Sequence, residues 1–233
     1  MTTRVTALGS ADAFFSAGRG HTCWLIEDDS GACAVDFGAT ALQSLKKLKF
    51  DPDRLQAVHF THLHGDHIGG WPFLLVDAVY RSHRTTPLVA SGPPGTRDRL
   101  HALWAACYRR AAETPLPFPL EVREMQPGES AAIAGREVRA FAALHMTPPD
   151  VALSLRIDDV AFTGDTGEIP AGLCAGARLL CAECTYLSGD SDRHLSWEKL
   201  RDLKLPRVML GHAGTDVREA GVKVCEDLDF VEL

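Results

Sequence analysis

Short apolar runs alternate with amphipathic and polar stretches along the 233 residues, and the runs fall into two groups. The first comprises residues 5–8, 23–27, 33–37, 56–60 and 88–90. The second comprises residues 122–125, 138–143, 152–157, 160–163, 179–183 and 207–211. Brief, rich in β-branched and aromatic residues and bounded by Gly, Asp or other turn formers, such runs read as strands. Helical patterns lie between them, over 40–48, over 71–80 and over 97–110, where Leu100, Leu103, Trp104 and Cys107 recur at helical spacing. A shorter helix over 196–202 has Ser196 as its candidate cap. Strands in two groups with interspersed helices suit an α/β fold, two sheets packed face to face with helices outside. The length fits a single domain over residues 1–233. The loop 114–119, Thr-Pro-Leu-Pro-Phe-Pro, is the expected seam between the halves.

Composition narrows the class. A hydrophobic share of 45% with 24% charged residues is that of an ordinary globular protein. No apolar run approaches the roughly 18–20 residues of a membrane span, and the first residues lack the apolar core of a signal peptide. Seven cysteines without an export signal read as reduced thiols, so a cytoplasmic location is expected. Cys181-Ala-Glu-Cys184 has redox-motif spacing but lies in a strand-like run, where buried thiols are the better reading. A formal net charge of −7 tells against a large nucleic-acid partner, since neutralising phosphates needs a basic surface. Arg81-Ser-His-Arg84, Arg97-Asp-Arg99 and Arg109-Arg110 offer a local basic patch or, more plainly, solvated helix faces.

The densest chemistry is Thr61-His-Leu-His-Gly-Asp-His-Ile-Gly-Gly70. His62, His64, Asp66 and His67 can all bind metal, and they begin where the buried run Leu55-Gln-Ala-Val-His-Phe60 ends. His62 and His64 alternate by two, so in extended backbone they project the same way. Asp66 and His67 are adjacent and point apart unless a turn intervenes, which Gly65 can supply. One metal cannot easily take all four residues; two neighbouring metals can. A structural zinc site would use mostly Cys in a closed set. This cluster has none, and imidazole with carboxylate favours Zn, Fe, Mn or Ni with open positions.

His62-Leu-His64-Gly-Asp66-His67 resembles the HxHxDH signature of the metallo-β-lactamase superfamily. Further motifs follow in that family's order. They are His145 in Ala143-Leu-His-Met-Thr-Pro, Asp165 in Val160-Ala-Phe-Thr-Gly-Asp-Thr-Gly and His212 in Val208-Met-Leu-Gly-His-Ala-Gly. Val5-Thr-Ala-Leu-Gly-Ser, Cys23-Trp-Leu-Ile-Glu and Ala34-Val-Asp-Phe-Gly are similar to the family's opening strands, so the resemblance covers nearly the whole chain. It implies a four-layer αββα metallo-β-lactamase sandwich. It implies a first metal on His62, His64 and His145, a second on Asp66, His67 and His212, and Asp165 bridging them with a water or hydroxide. The expected cofactors are two divalent ions, zinc first, with Mn2+ or Fe2+ as alternatives. Two such ions lower the pKa of a shared water and clamp attacking and leaving oxygens. Asp36 is a candidate to support a ligand histidine from behind, or else to cap the helix after it. His59 is expected to face away from the metals. His21, in Gly18-Arg-Gly-His-Thr, could line the cleft.

Beyond Asp165 the chain is similar to the phosphodiesterase branch of the family, which includes tRNA 3′-processing endonucleases and small cyclic-phosphodiester hydrolases. Glu183 closes a strand, and His194 in Asp192-Arg-His-Leu-Ser-Trp opens a helical pattern. By that resemblance His194 assists the leaving alcohol, Glu183 orients it, and Asp66 is counted with the catalytic set as well as the ligands. The other reading of His194 is a surface residue near a helix start. Two departures bear on substrate. The gap from His145 to Asp165 has no room for the long Gly/Pro-rich arm that grips tRNA, and His212 is followed by Ala-Gly rather than the usual Ser and Arg/Tyr. The expected activity is a metal-dependent hydrolase acting on a small phosphodiester. Alternatives on the same site are a carboxylic ester, lactone, thioester or sulfate ester hydrolase, an iron-dependent persulfide dioxygenase, or a non-catalytic metal-binding scaffold. The expected partner is a small-molecule substrate, with no membrane. Homodimers are common in that branch, and the sequence shows no distinctive apolar patch that singles one out.

Overall fold

The run 179–183 shows how sequence becomes layer. Its side chains alternate, so Leu179 and Cys181 enter one buried cluster while Leu180 and Ala182 enter another. A strand apolar on both faces must be covered on both, and this one is. In the computed structural model, which describes residues 2–189, 191–204 and 207–233, the elements follow in chain order. The first half contains β1 (Arg4–Gly9), β2 (Cys23–Asp28), β3 (Gly31–Val35), α1 (Ala41–Lys47), β4 (Leu55–His59), α2 (Gly65–Ile68), α3 (Trp71–Tyr80), β5 (Leu88–Gly92), α4 (Thr96–Cys107), α5 (Arg109–Ala112) and β6 (Leu120–Glu124). The second contains β7 (Ser130–Ile133), β8 (Arg136–Ala143), β9 (Ala152–Ile157), β10 (Val160–Phe162), β11 (Leu179–Glu183), α6 (Trp197–Leu200), β12 (Arg207–Gly211), α7 (Thr215–Glu219) and β13 (Phe230–Glu232).

The strands form a seven-stranded sheet, β13-β1-β2-β3-β4-β5-β6, and a six-stranded sheet, β12-β11-β10-β9-β8-β7. Val5, Trp24, Val35 and Ala57 of the first meet Val138, Leu155, Phe162 and Met209 of the second in the central core. The far face of the first sheet packs Leu25, Ala34 and Val58 against Leu45, Leu74 and Leu100 of α1, α3 and α4. The far face of the second packs Leu180 and Ala182 against Leu200 and Val217 of α6 and α7. This is the expected αββα order of layers.

Several sequence expectations are corrected. The run 122–125, grouped with the second set, falls largely in β6, which pairs in parallel with β5 at the edge of the first sheet. The Pro-rich loop 114–119 therefore leads into a strand of the first sheet, and the chain crosses between sheets after β6. β7 and β13 were not expected; both lie at sheet edges, where an exposed face weakens the apolar pattern. The helix over 97–110 breaks at Tyr108 (φ −139°, ψ 63°) into α4 and α5. Arg84 is no surface cation. It is buried, and its guanidinium donates to the carbonyls of Leu55, Thr86 and Pro87 at 2.6–2.8 Å. Ser196 does cap its helix, accepting from the Lys199 amide. No helix among the described residues is long and apolar enough to cross a membrane.

Candidate metal centre

Apart from His194, which lies in the loop before α6, the chemically distinctive residues sit at or just past the C-terminal ends of strands. Asp36 follows β3, the HxHxDH cluster follows β4, His145 follows β8, Asp165 follows β10, Glu183 ends β11 and His212 follows β12. β3 runs parallel to β4, and β10, β11 and β12 run parallel to one another, so these ends gather along one rim of the sandwich. The Leu153 amide donates to the Thr61 carbonyl at 2.8 Å and stitches the two sheets together there.

His62 Nε2 and His145 Nε2 lie 3.0 and 3.1 Å from His64 Nδ1. The opposite edges of two of these rings are committed. His145 Nδ1 meets the Arg193 carbonyl at 3.0 Å, and His62 Nδ1 meets Thr61 Oγ1 at 3.1 Å. A carbonyl only accepts, so His145 carries its proton on Nδ1 and turns a bare Nε2 inward. Three ring nitrogens thus converge, an arrangement that one proton cannot satisfy and one cation can.

The second group comprises Asp66, His67, Asp165 and His212. α2 begins at Gly65, and its turn brings the adjacent Asp66 and His67 to one side, with Asp66 Oδ2 at 3.2 Å from His67 Nε2. His212 Nε2 lies 3.4 Å from both Asp66 Oδ2 and Asp165 Oδ2. Asp165 Oδ1 is 3.4 Å from His67 Nε2, while Asp165 Oδ2 is 3.8 Å from both His62 Nε2 and His145 Nε2. One carboxylate therefore faces both groups. Within each group the donor atoms lie within 4.8 Å of one another.

Buried polar atoms test whether a metal belongs here. His67 Nε2 and Asp165 Oδ1 are buried and have no hydrogen-bond partner. An orphaned buried donor or acceptor costs about 1–3 kcal/mol, and two of them face each other across the point a cation would fill. The electrostatics agree. Burial works to raise the Asp165 carboxyl, yet His212 and His67 overcome it and hold it well below the carboxylate range. Burial works to lower His212, yet Asp165 and Asp66 raise it to about 9. His67 is raised in the same way, against burial, by Asp165 and Asp36. The pocket thus favours positive charge. His62, buried and surrounded by the other histidines, is driven well below its ordinary value toward the neutral form a ligand needs.

Asp36 accepts from His67 Nδ1 at 2.8 Å and from the Thr61 amide at 2.8 Å. It does not cap α1, whose first residues receive no side-chain bond. His194 Nδ1 lies 3.0 Å from Glu183 Oε2 and 3.9 Å from Asp165 Oδ2, with its side chain 19% exposed and so within reach of solvent. Glu183 is buried and accepts the Thr166 amide at 2.6 Å. His59 is buried against Ser91 Oγ at 2.7 Å and takes no part. His21 is buried, stacked on Phe15 at 3.7 Å, and is not among the converging donors. Cys181 and Cys184 are free thiols in separate clusters, and burial pushes both thiols up, Cys184 to about 12. The sequence reading missed Thr61, Thr185 and the Arg193 carbonyl. The two threonines had a signal, since each lies beside or between candidate site residues at a strand end; the carbonyl had none.

The sandwich and the paired histidine–carboxylate clusters on its rim define a metallo-β-lactamase fold protein. A metallo-β-lactamase fold protein of Bacillus subtilis, YhfI, has a similar structure, with TM-score 0.78 at 19% identity over 100% of this chain and 99% of that one. Residues 3–213 match the family described as Anti-Pycsar protein Apyc1, and the chain belongs to that family. Among curated proteins it is 33% identical to a ribonuclease Z of Halorubrum lacusprofundi over 150 residues, 63% of this chain and 46% of that protein. It is 31% identical to zinc phosphodiesterase ELAC protein 1 of Mus musculus over 153 residues, 64% of this chain and 40% of that protein. The match spans less than half the length of either relative.

Proposed function

We propose that this protein is a metal-dependent phosphodiesterase acting on a small phosphodiester. The observation that carries the reading is His194, held by Glu183 at 3.0 Å beside Asp165; it stands outside the His62–His64–His145 and Asp66–His67–Asp165–His212 groups, although its ring nitrogen also converges with His145 and Asp165 and with Glu183 and His212. A histidine that the metals do not need, oriented by a buried carboxylate at a solvent-accessible rim, is a proton carrier in search of a leaving group. The relatives named ribonuclease Z and zinc phosphodiesterase support the same class.

His62, His64 and His145 would hold one ion and Asp66, His67 and His212 the other, with Asp165 between them. Bound there, zinc or a similar dication supplies Lewis acidity and a water of lowered pKa. The chain's own residues do the rest. Glu183 accepts from His194 Nδ1, which leaves Nε2 to carry the proton that the departing alkoxide takes. Burial works to lower the His194 imidazole, but Glu183 overcomes it and raises it, which favours the protonated form that can give a proton to a leaving group. Asp165 and Asp66 keep their charge, because His212 and His67 hold both carboxyls well below the carboxylate range against burial.

The test is turnover of bis(p-nitrophenyl) phosphate by metal-quantified protein, beside p-nitrophenyl acetate and a simple lactone. Diester cleavage that scales with bound metal is the expected result. Ester or lactone cleavage without diester cleavage would move the activity to another hydrolase class and remove the role of His194.

A further inference from the structure

Two threonine hydroxyls occupy matching positions. Thr61 Oγ1 lies 2.9 and 3.0 Å from the two oxygens of Asp36 and 3.1 Å from His62 Nδ1. Thr185 Oγ1 contacts Glu183 Oε2 and lies 2.9 Å from His212 Nδ1, with the His212 carbonyl at 3.2 Å and His194 Nδ1 at 3.3 Å. Thr61 is 1% exposed and Thr185 7%. Each hydroxyl has one hydrogen, so it can donate once and must otherwise accept. Asp36 already accepts from His67 Nδ1 and the Thr61 amide, and Glu183 from His194 Nδ1 and the Thr166 amide, as carboxylates do. At Thr185 the Glu183 carboxylate lies closer than the His212 carbonyl, and at Thr61 Asp36 is the acceptor in reach, so the hydroxyl hydrogen goes to the carboxylate and the hydroxyl oxygen accepts from the imidazole Nδ1–H.

We infer that Thr61 and Thr185 are positioning residues, each relaying a buried carboxylate to one metal-ligand histidine and fixing its tautomer with Nε2 bare. Asp36 thus serves His67 directly and His62 through Thr61. Glu183 serves His194 directly and His212 through Thr185. Without the relay nothing obliges His62 or His212 to carry its proton on Nδ1, and a ring protonated on Nε2 cannot bind metal. The two relays act on different groups, Thr61 on the His62–His64–His145 set and Thr185 on the Asp66–His67–His212 set.

The inference rests on the reading that the cluster holds two ions, which zinc uptake by the wild-type chain tests by itself; a wild-type chain that takes up no zinc overturns both. The relays are tested by zinc titration of wild type, Thr61→Val, Thr185→Val and Thr185→Ser, with anomalous scattering at the zinc edge to locate the ions retained. Thr185→Val should weaken the ion at Asp66, His67 and His212 by about 10–100-fold and spare the other. Thr61→Val should do the reverse, and Thr185→Ser should match wild type. Wild-type affinities in both Val variants, equal loss of both ions in each, or a Ser variant as weak as Val would overturn the relays. The opposite site preference of the two Val variants separates positioning from general destabilisation, and the Ser comparison stands even if a Val variant does not fold.

Discussion

Asp36 holds His67 by a 2.8 Å hydrogen bond from a left-handed backbone conformation (φ 58°) at the end of β3. Few residues other than Gly, Asn and Asp settle there, and Asn would keep one acceptor oxygen without the charge. Asp36→Asn should therefore fold and bind zinc more weakly, while Asp36→Ala should lose about 10–100-fold in zinc affinity and some stability as well. Competition with a chelating dye reads the first effect. Unaltered affinity in Asp36→Ala would show that His67 does not depend on this carboxylate.

His194→Ala should lower diester turnover by roughly 10²–10⁴-fold while zinc per chain stays at the wild-type value. Glu183→Gln should reduce turnover too, and should lower the pH above which activity falls, because the carboxylate is what raises the His194 imidazole. A parallel loss of zinc in His194→Ala would make that residue a ligand rather than a proton carrier.

Zinc should stabilise the fold. His67 Nε2 and Asp165 Oδ1 are buried without a hydrogen-bond partner, and a bound ion would supply one to each; an ion that binds the folded chain alone adds about 2.7 kcal/mol at 100 times its Kd. Thermal melts with and without EDTA should show a midpoint that rises with free zinc. A midpoint indifferent to EDTA would argue against a metal at these atoms.

His59 gives the metal-free chain a pH-dependent stability. Burial, helped by the charge of Arg136, lowers this imidazole from 6.5 to about 4. The unfolded chain then binds a proton that the folded chain refuses. Stability from this residue is fully present above the unfolded value and is lost as pH falls through that window, by about 3.5 kcal/mol at 1.4 kcal/mol per unit. Urea unfolding of metal-free wild type and His59→Gln between pH 4 and 7 should give a shallower pH slope for the variant. Identical slopes would assign the acid sensitivity elsewhere.

Packing between the sheets should be costly to disturb. Leu155 is buried in the central core, so Leu155→Ala should cost about 2–5 kcal/mol in denaturant unfolding. A loss near that of an exposed leucine such as Leu203 would mean the interior collapses to fill the gap.

Much of this molecule is legible in its sequence for a local reason. Strands apolar on both faces, like 179–183, announce that they are covered on both sides, and His62 and His64 at alternate positions announce a shared direction whatever the rest of the chain does. The order of His145, Asp165 and His212 after them marks the family. What sequence could not decide is pairing at a distance. Nothing in residues 120–124 says which sheet they join, because an edge strand takes its partner from β5 through backbone bonds that carry no side-chain signature. Nor could spacing show that Thr185, two residues past Glu183, would lie 2.9 Å from a histidine 27 positions later. That contact exists because β11 and β12 run parallel and end at the same rim. The residue types came from the sequence; their distances, their protons and the convergence of seven ligand candidates came from two sheets closing on one another.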